Sequence, residues 1–311
     1  MTCSGNPSPW TEQDIPDQGG RVALVTGANT GTGFAAAKAL ARRGAHVILA
    51  CRQVDKAMAA EQRIRAEVPG ASVERVTLDL GELASVRKAA QAVQERHTRL
   101  DLLVNNAGVM IPPYGKTADG FELQLGTNHL GHFALTGLLL PLLLATPGSR
   151  VVTMSSTAHK FGRIHFEDLQ WERGYHAWGA YGQSKIANLM FTFELQRRLG
   201  RAGSATLAVA AHPGFARTDL ARHAVRHPLT RLGMAALGAF LSQDAAHGAL
   251  PLLRAAVDPE ASGSHFYGPS GCGELKGAPV LVQSNARSRD EAVQRRLWQE
   301  SEQLTGVVYP I

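Results

Sequence analysis

Between Arg21 and Gly33 the chain reads RVALVTGANTGTG, and no other stretch restricts the possible folds as much. The apolar run Val22 to Val25 has the character of a buried parallel strand. It passes straight into Gly27, Gly31 and Gly33, and then into a helix-forming run from Phe34 to Arg43. Glycines allow a tight turn and a close backbone approach to a ligand, while a helix N-terminus offers N–H groups and partial positive charge. A pyrophosphate suits such a turn. A glycine triplet alone is a weak signal. It becomes a dinucleotide fingerprint when a strand precedes it, a helix follows and a selective residue lies about 20 positions on. Arg52 completes that set here.

The remaining chain repeats the strand–helix alternation. The first helix ends at Arg42-Arg43-Gly44, with cations in its last turn and glycine as the cap. Strands are expected at 46–50, 73–77, 100–104, 150–154 and 206–211. Helices are expected at 54–68, 82–97, 127–146, 181–199 and 290–304, with Pro141 kinking or ending the first half of its helix. Alternation of this kind means parallel strands joined by crossovers, a Rossmann-type doubly wound α/β sheet. Ligands of such sheets lie at the carboxyl ends of the strands. That rule directs attention to Gly27, Arg52, Asp79, Asn106 and the residues after strands five and six. Residues 1–18 read as an N-terminal arm, and 19–311 as a single catalytic domain with a small helical substrate lid at about 215–245. The stretch Phe215 to Leu232 is expected to move over the substrate, since it carries Arg217, Arg222, Arg226 and Arg231 against Asp219 alone.

Composition excludes several classes. Of 311 residues, 44% are hydrophobic and 19% charged, as in ordinary soluble globular proteins. The three cysteines Cys3, Cys51 and Cys272 lie far apart, which argues against a disulfide framework or zinc site and fits a reducing compartment. No basic n-region or apolar h-region marks the first residues, so no signal peptide is expected. Phe133 to Ser149 is uncharged but short for a membrane span and contains Pro141. A net charge of +6 without any nucleic-acid-binding motif reads as a solvated basic surface. His129 and His132 form an HxxH pair with no third ligand in view, so packing and no metal is the expectation.

The chemistry-bearing residues come later. Tyr181 and Lys185 are one helical turn apart and share a face. A phenol is a poor base at neutral pH, and a nearby ammonium would favour its ionised form. Ser156, at the end of strand five, could orient a carbonyl or alcohol beside that phenol. Proton transfer coupled to hydride transfer is alcohol–ketone chemistry, with the hydride carried by a cofactor.

Together TGANTGTG, LDL, NNAG, Ser156, YGQSK and PG, in this order, resemble the short-chain dehydrogenase/reductases across roughly residues 20 to 305. The glycine pattern is similar to that of the "classical" subgroup. The segments NHLGHFALT, GRIHFEDLQWE and SKIANLMFT resemble the retinol-dehydrogenase-like branch, which acts on lipophilic alcohols and aldehydes. The resemblance implies Tyr181 as acid/base, Lys185 on the nicotinamide ribose, Ser156 (or, less favoured, Ser155) polarising the substrate oxygen, and Asn128 binding a relay water. It also implies that Gly27, Asn29, Thr30, Gly31, Thr32 and Gly33 line the pyrophosphate. Asp79 and Leu80 would face the adenine, Asn106, Ala107 and Gly108 the ribose, and Pro213, Gly214 and Thr218 the nicotinamide end. Uncharged Cys51 followed by Arg52 resembles the NADP-preferring pattern, so NADP(H) is expected over NAD(H).

Thr32 stands where the family usually has isoleucine or leucine, and looser packing is expected there. The membrane anchor of many eukaryotic members is not seen, so the resemblance implies a cytoplasmic, bacterial-type homologue with little membrane contact. A homodimer or homotetramer is expected through helices 127–145 and 180–199, because Ile186, Leu189, Met190, Phe191, Phe193 and Leu195 exceed one core-facing stripe. The alternative to an enzyme is a non-catalytic, NADP(H)-sensing binding protein on the same fold.

Overall fold

The computed structural model describes residues 9–215 and 243–311. The lid expectation and Thr218 lie outside these residues, apart from Phe215 and the stretch from Gln243. Eight strands form one sheet in the order β3-β2-β1-β4-β5-β6-β7-β8. They are β1 Val22–Thr26, β2 His46–Cys51, β3 Val73–Thr77, β4 Leu102–Asn105, β5 Arg150–Met154, β6 Leu207–Ala211, β7 Phe266–Pro269 and β8 Pro279–Leu281. Neighbours pair in parallel from β3 to β7, and β8 runs antiparallel to β7. The sequence reading did not foresee that last strand, which lies beside the glycine-rich 263–277 stretch.

Alternation along β1 sorts its side chains to two cores. Ala23 and Val25 pack against the helices α1 (Gly31–Arg42), α2 (Val54–Glu67) and α6 (Ala245–Val257). Val22 and Leu24 face the other layer, built by α3 (Leu83–Arg96), α4 (Gly131–Leu144), α5 (Ala177–Arg201) and α7 (Glu291–Thr305). Both faces are thus covered, and all five residues of β1 are buried. That is why parallel strands of this kind read as continuous apolar runs.

Three sequence expectations change. Helix α4 runs through Pro141, which sits near its C-terminal end, and Ala145 N–H bonds the Pro141 carbonyl. The ring replaces only the N–H that would have reached Gly137, a residue with no side chain to meet it. The second concerns α5, which begins at Ala177 under a His176 cap, so Tyr181 lies one turn inside. The apolar surplus on α5 is the third. Ile186, Leu189, Met190, Phe191, Phe193 and Leu195 are all buried within one chain. Trp298 of α7 stacks on Phe191 at 5.8 Å between centroids, and the Tyr309 ring lies 4.5 Å from Trp298. The C-terminal segment therefore covers much of the face from which an oligomer was inferred.

Among the described residues no helix is long and apolar enough to cross a membrane. Phe133 to Leu144, the uncharged stretch, belongs to α4 and supplies core residues.

Trp298 is 2% exposed and contacts three aromatic rings. Trp298→Ala is expected to lower unfolding free energy by about 3–5 kcal/mol. Urea denaturation followed by circular dichroism measures this, and a loss below about 1 kcal/mol would mean that the C-terminal helix is not part of the cooperative core.

Candidate active site

The turn after β1 and the turn after β4 lie on neighbouring strands where the strand order reverses, the usual ligand crevice of an open α/β sheet. Gly27 has φ 66° and Gly31 φ 58°, conformations that a side chain disfavours. A Cβ on Gly33 would sit 2.5 Å from Asn106 Nδ2 and from the Gly27 carbonyl oxygen, so only glycine lets α1 start this close to β1 and β4. No side-chain cap closes the N-terminus of α1. Its amide dipoles are directed at the turn, as a bound pyrophosphate requires. The residues present fit a dinucleotide.

A buried polar network ties this turn to the catalytic candidates. Thr26 Oγ1 accepts the N–H groups of Asn106 and Ala107, both at 2.9 Å. Its own proton has His132 Nε2 at 2.9 Å, against 3.4 Å to the Val104 carbonyl. His132 Nδ1 lies 2.9 Å from the Asn128 carbonyl, which can only accept, so Nδ1 carries the proton and Nε2 receives Thr26. Burial holds this imidazole neutral, pushing it down to about 3. On the other side Asn106 Nδ2 donates to the Thr26 carbonyl and Asn106 Oδ1 accepts from Thr32 Oγ1, at 2.9 Å each. Thr32 is therefore no loosely packed substitute for isoleucine: its hydroxyl fastens the loop after β4 to α1.

Asn128 sits in a π-type turn, Gly126–Leu130, where the Gly131 N–H reaches back to the Gly126 carbonyl. Widened turns of this sort often occur at functional sites. The Asn128 amide is heavily engaged. Oδ1 accepts from Val109 N–H at 2.7 Å, and Nδ2 donates to the Val109 carbonyl and to Ser184 Oγ, both at 2.9 Å. Asn128 thus binds the loop after β4 to the helix that carries Tyr181 and Lys185. Gly108 belongs to the same junction, since a Cβ there would lie 2.9 Å from Asn128 Oδ1.

Tyr181 and Lys185 come together as expected, with Lys185 Nζ 5.7 Å from the phenol ring centroid. Both are buried, at 7% and 3% exposure. Burial pushes the phenol up to about 12, partly offset by its hydrogen bond with the Ser156 side chain. Burial also lowers the Lys185 ammonium to about 8. Desolvation rather than attraction to Lys185 governs the phenol, which corrects the sequence argument. Lys185 Nζ donates to the Met154 carbonyl at 3.3 Å.

The two serines after β5 divide. Ser155 Oγ donates to the Lys185 carbonyl at 2.8 Å inside α5, a structural tie. Ser156 faces Tyr181. Its carbonyl accepts from His159 Nδ1 at 2.6 Å and its Oγ from Ala158 N–H at 3.2 Å. Around the phenol, Ile111, Ala158, Met110 and Ala177 form an apolar cluster. Phe161 and Trp178 pair at 6.4 Å beside it and stay about half exposed, at 52% and 46%. Ile111 has φ 53°, strained for a β-branched residue, and Gln124 Oε1 holds its N–H at 2.9 Å.

At the far strands, Pro213 and Gly214 follow β6 beside His212, whose Nε2 lies 2.9 Å from Glu274 Oε2. Lys160 pairs with the same carboxylate at 2.9 Å. At the adenosine end Cys51 is buried, which raises its thiol to about 11, and the Ala28 and Asn29 backbone contacts it makes oppose that rise. Arg52 is exposed, 4.0 Å from Asp79 Oδ2. Asp79 Oδ1 caps Gly81 N–H at 2.9 Å, and Leu80 is buried against α4. The sequence reading missed His132, Thr26, Gln124 and Glu274 as site-forming residues. Thr26 opens the glycine motif and His132 belongs to the HxxH pair, whose rings part, His129 toward Ser301 and His132 toward Thr26.

A family model described as short chain dehydrogenase matches residues 21–228. The chain is 44% identical over 298 residues to human retinol dehydrogenase 13, covering 94% of this chain and 86% of that protein. It is 43% identical over 291 residues to human retinol dehydrogenase 11, covering 93% and 86%. A crystal structure of an uncharacterized protein from Mycobacterium paratuberculosis is similar at TM-score 0.82 and 43% identity, covering 98% of this chain and all, 100%, of that one. Pseudomonas aeruginosa RhlG, in an active-site complex with NADP, is similar at TM-score 0.64 and 26% identity, covering 80% and 94%.

Thr26→Val keeps the shape and removes the acceptor of two N–H groups. Each unsatisfied buried group costs about 1–3 kcal/mol, so a loss of at least about 2 kcal/mol is expected in urea unfolding. An unchanged midpoint would show that the amides find another acceptor.

Proposed function

Because the chain belongs to the short-chain dehydrogenase/reductase family, in its retinol-dehydrogenase-like branch, it is an NAD(P)-dependent oxidoreductase acting on alcohol or carbonyl groups, and we propose that it interconverts a lipophilic alcohol and its aldehyde or ketone using NADP(H). The observation that carries this reading is the Tyr181 phenol: buried, hydrogen-bonded to Ser156, one turn from Lys185 and walled by apolar side chains.

In this reading Ser156 and Tyr181 both donate to the substrate oxygen, and Tyr181 passes its proton as the carbonyl becomes an alcohol. The bound dinucleotide supplies or accepts the hydride. Lys185 holds the nicotinamide ribose and stabilises the phenolate left by proton transfer. Asn128 acts mainly by position, fixing Val109 and Ser184; one lone pair on Oδ1 remains for a relay water. Gly27, Asn29, Thr30, Gly31, Thr32 and Gly33 would hold the pyrophosphate, and Asp79 and Leu80 the adenine. Asn106, Ala107 and Gly108 would serve the ribose, and Pro213 and Gly214 the nicotinamide. The half-exposed rings of Phe161, Trp178 and Tyr114 favour a lipophilic substrate over a sugar.

Tyr181→Phe is expected to lower kcat by about 10² to 10⁴ with little change in cofactor affinity. Turnover of an aldehyde panel measures this, and retention of more than about a tenth of wild-type kcat would remove Tyr181 from its role. The pH dependence has opposite sign in the two directions. A phenol near 12 is protonated at neutral pH, so carbonyl reduction holds level and declines only in alkali. Alcohol oxidation needs the phenolate and rises with pH. Profiles of kcat/KM for both directions test this; an oxidation rate that falls with pH contradicts it.

Arg52 carries the cofactor preference. Its exposed pairing with Asp79 is weak enough to exchange for a 2′-phosphate, which a guanidinium grips through two charge-assisted hydrogen bonds. Such bonds contribute about 1.5–3 kcal/mol each, roughly 10- to 150-fold in affinity. NADPH is expected to bind at least about tenfold tighter than NADH, and Arg52→Ala to erase most of the gap. Equal dissociation constants in the wild type, by fluorescence titration at moderate salt, would reverse this assignment.

A further inference from the structure

At the opposite end of the sheet, where β2 and β3 begin, side chains from three elements converge. His46 opens β2, Glu74 is the second residue of β3, and His97 closes α3. One ligand-capable atom from each lies within 4.8 Å of the others. His97 Nε2 is 2.8 Å from Glu74 Oε1, and His46 Nε2 is 3.9 Å from the same oxygen. Among the described residues no other group of three such side chains meets this geometry.

The His46 ring is already oriented. Its Nδ1 lies 2.7 Å from Ser72 Oγ, while its Nε2 is shielded from solvent and has no hydrogen-bond partner. A desolvated imidazole nitrogen turned toward a carboxylate, yet too distant to bond it, needs an explanation. An ion between the two supplies one. Donors about 2.0–2.2 Å from a tetrahedral zinc-like centre stand about 3.3–3.6 Å apart, between the 2.8 and 3.9 Å found to Glu74 Oε1. Glu74 Oε2 is held by Arg96 Nη1 at 3.5 Å, which leaves Oε1 for a ligand while its positive charge moderates the affinity. Metal-binding histidines characteristically have their second nitrogen fixed by a hydrogen bond of the kind Ser72 provides.

We propose that His46, Glu74 and His97 form a binding site for a divalent first-row transition metal. Two imidazoles and a carboxylate suit Zn²⁺, Co²⁺ or Ni²⁺ better than Mg²⁺ or Ca²⁺. Water completes the coordination. The ion takes the place of the proton between His97 and Glu74, which moves to His97 Nδ1 or to solvent. It braces β2, β3 and α3 at the edge of the sheet and takes no part in the hydride chemistry at the other end.

The test uses the untagged full chain. Co²⁺ is titrated while its visible absorption is followed, Zn²⁺ is then added in competition, and thermal unfolding is recorded with and without Zn²⁺. The wild type is expected to bind a single equivalent and to unfold at higher temperature with Zn²⁺. His46→Ala and His97→Ala lose both effects, and His46→Ala keeps wild-type carbonyl turnover. Ser72→Ala, an exposed substitution that spares all three ligands, weakens binding by about 10- to 100-fold and remains informative should an imidazole deletion fail to fold. Absence of saturable binding in the wild type, or equal binding in wild type, His46→Ala and Ser72→Ala, overturns the site.

Discussion

One hydroxyl group joins the two halves of the candidate site. Thr26 ends β1, and its oxygen collects two backbone amides from the loop after β4 while passing its proton to His132 on α4. The histidine in turn holds the Asn128 carbonyl. The Thr26 hydroxyl, both His132 ring nitrogens and the Asn106 side chain each have a partner, in a region where an unpaired group would be costly. The glycine turn, the loop after β4 and the helix bearing Asn128 are therefore fixed relative to one another by hydrogen bonds with few alternative geometries. Apolar packing alone would tolerate sliding between these elements.

Burial then sets the resting protonation of Tyr181 and Lys185. Desolvation drives Tyr181 and Lys185 both toward neutrality, giving a protonated phenol beside an amine that loses its proton readily. The neighbouring serines show how finely position decides role. Ser155 points into α5 and secures its backbone, whereas Ser156, one residue on and on the other side of the strand, meets the phenol.

Much of this arrangement was legible in the amino-acid order. The run from Val22 to Gly33 gives strand, turn and helix directly, because each glycine answers a local geometric demand. The spacing of Tyr181 and Lys185 needs only helical periodicity. What stayed hidden depends on contacts between distant residues. Nothing local marks Thr26 as an acceptor for residue 106, or separates His132 from an ordinary core histidine. The apolar excess on α5, the ground for expecting an oligomer, packs against Trp298 of α7 and the Tyr309 tail, more than 100 positions away. The antiparallel β8 is three residues long and carries Pro279, too short and too irregular for periodicity to detect.

The described residues on either side of 216–242 are bonded to each other. Gln243 N–H bonds the Phe215 carbonyl at 2.9 Å, and the Gln243 side chain bonds the Pro213 carbonyl at 2.8 Å. The two ends of that stretch thus meet at one anchoring point just past β6. Closing a chain segment costs only logarithmically more entropy as it lengthens. A change in the number of residues between 216 and 242 is therefore compatible with Phe215 and Gln243 staying joined at the carboxyl end of β6.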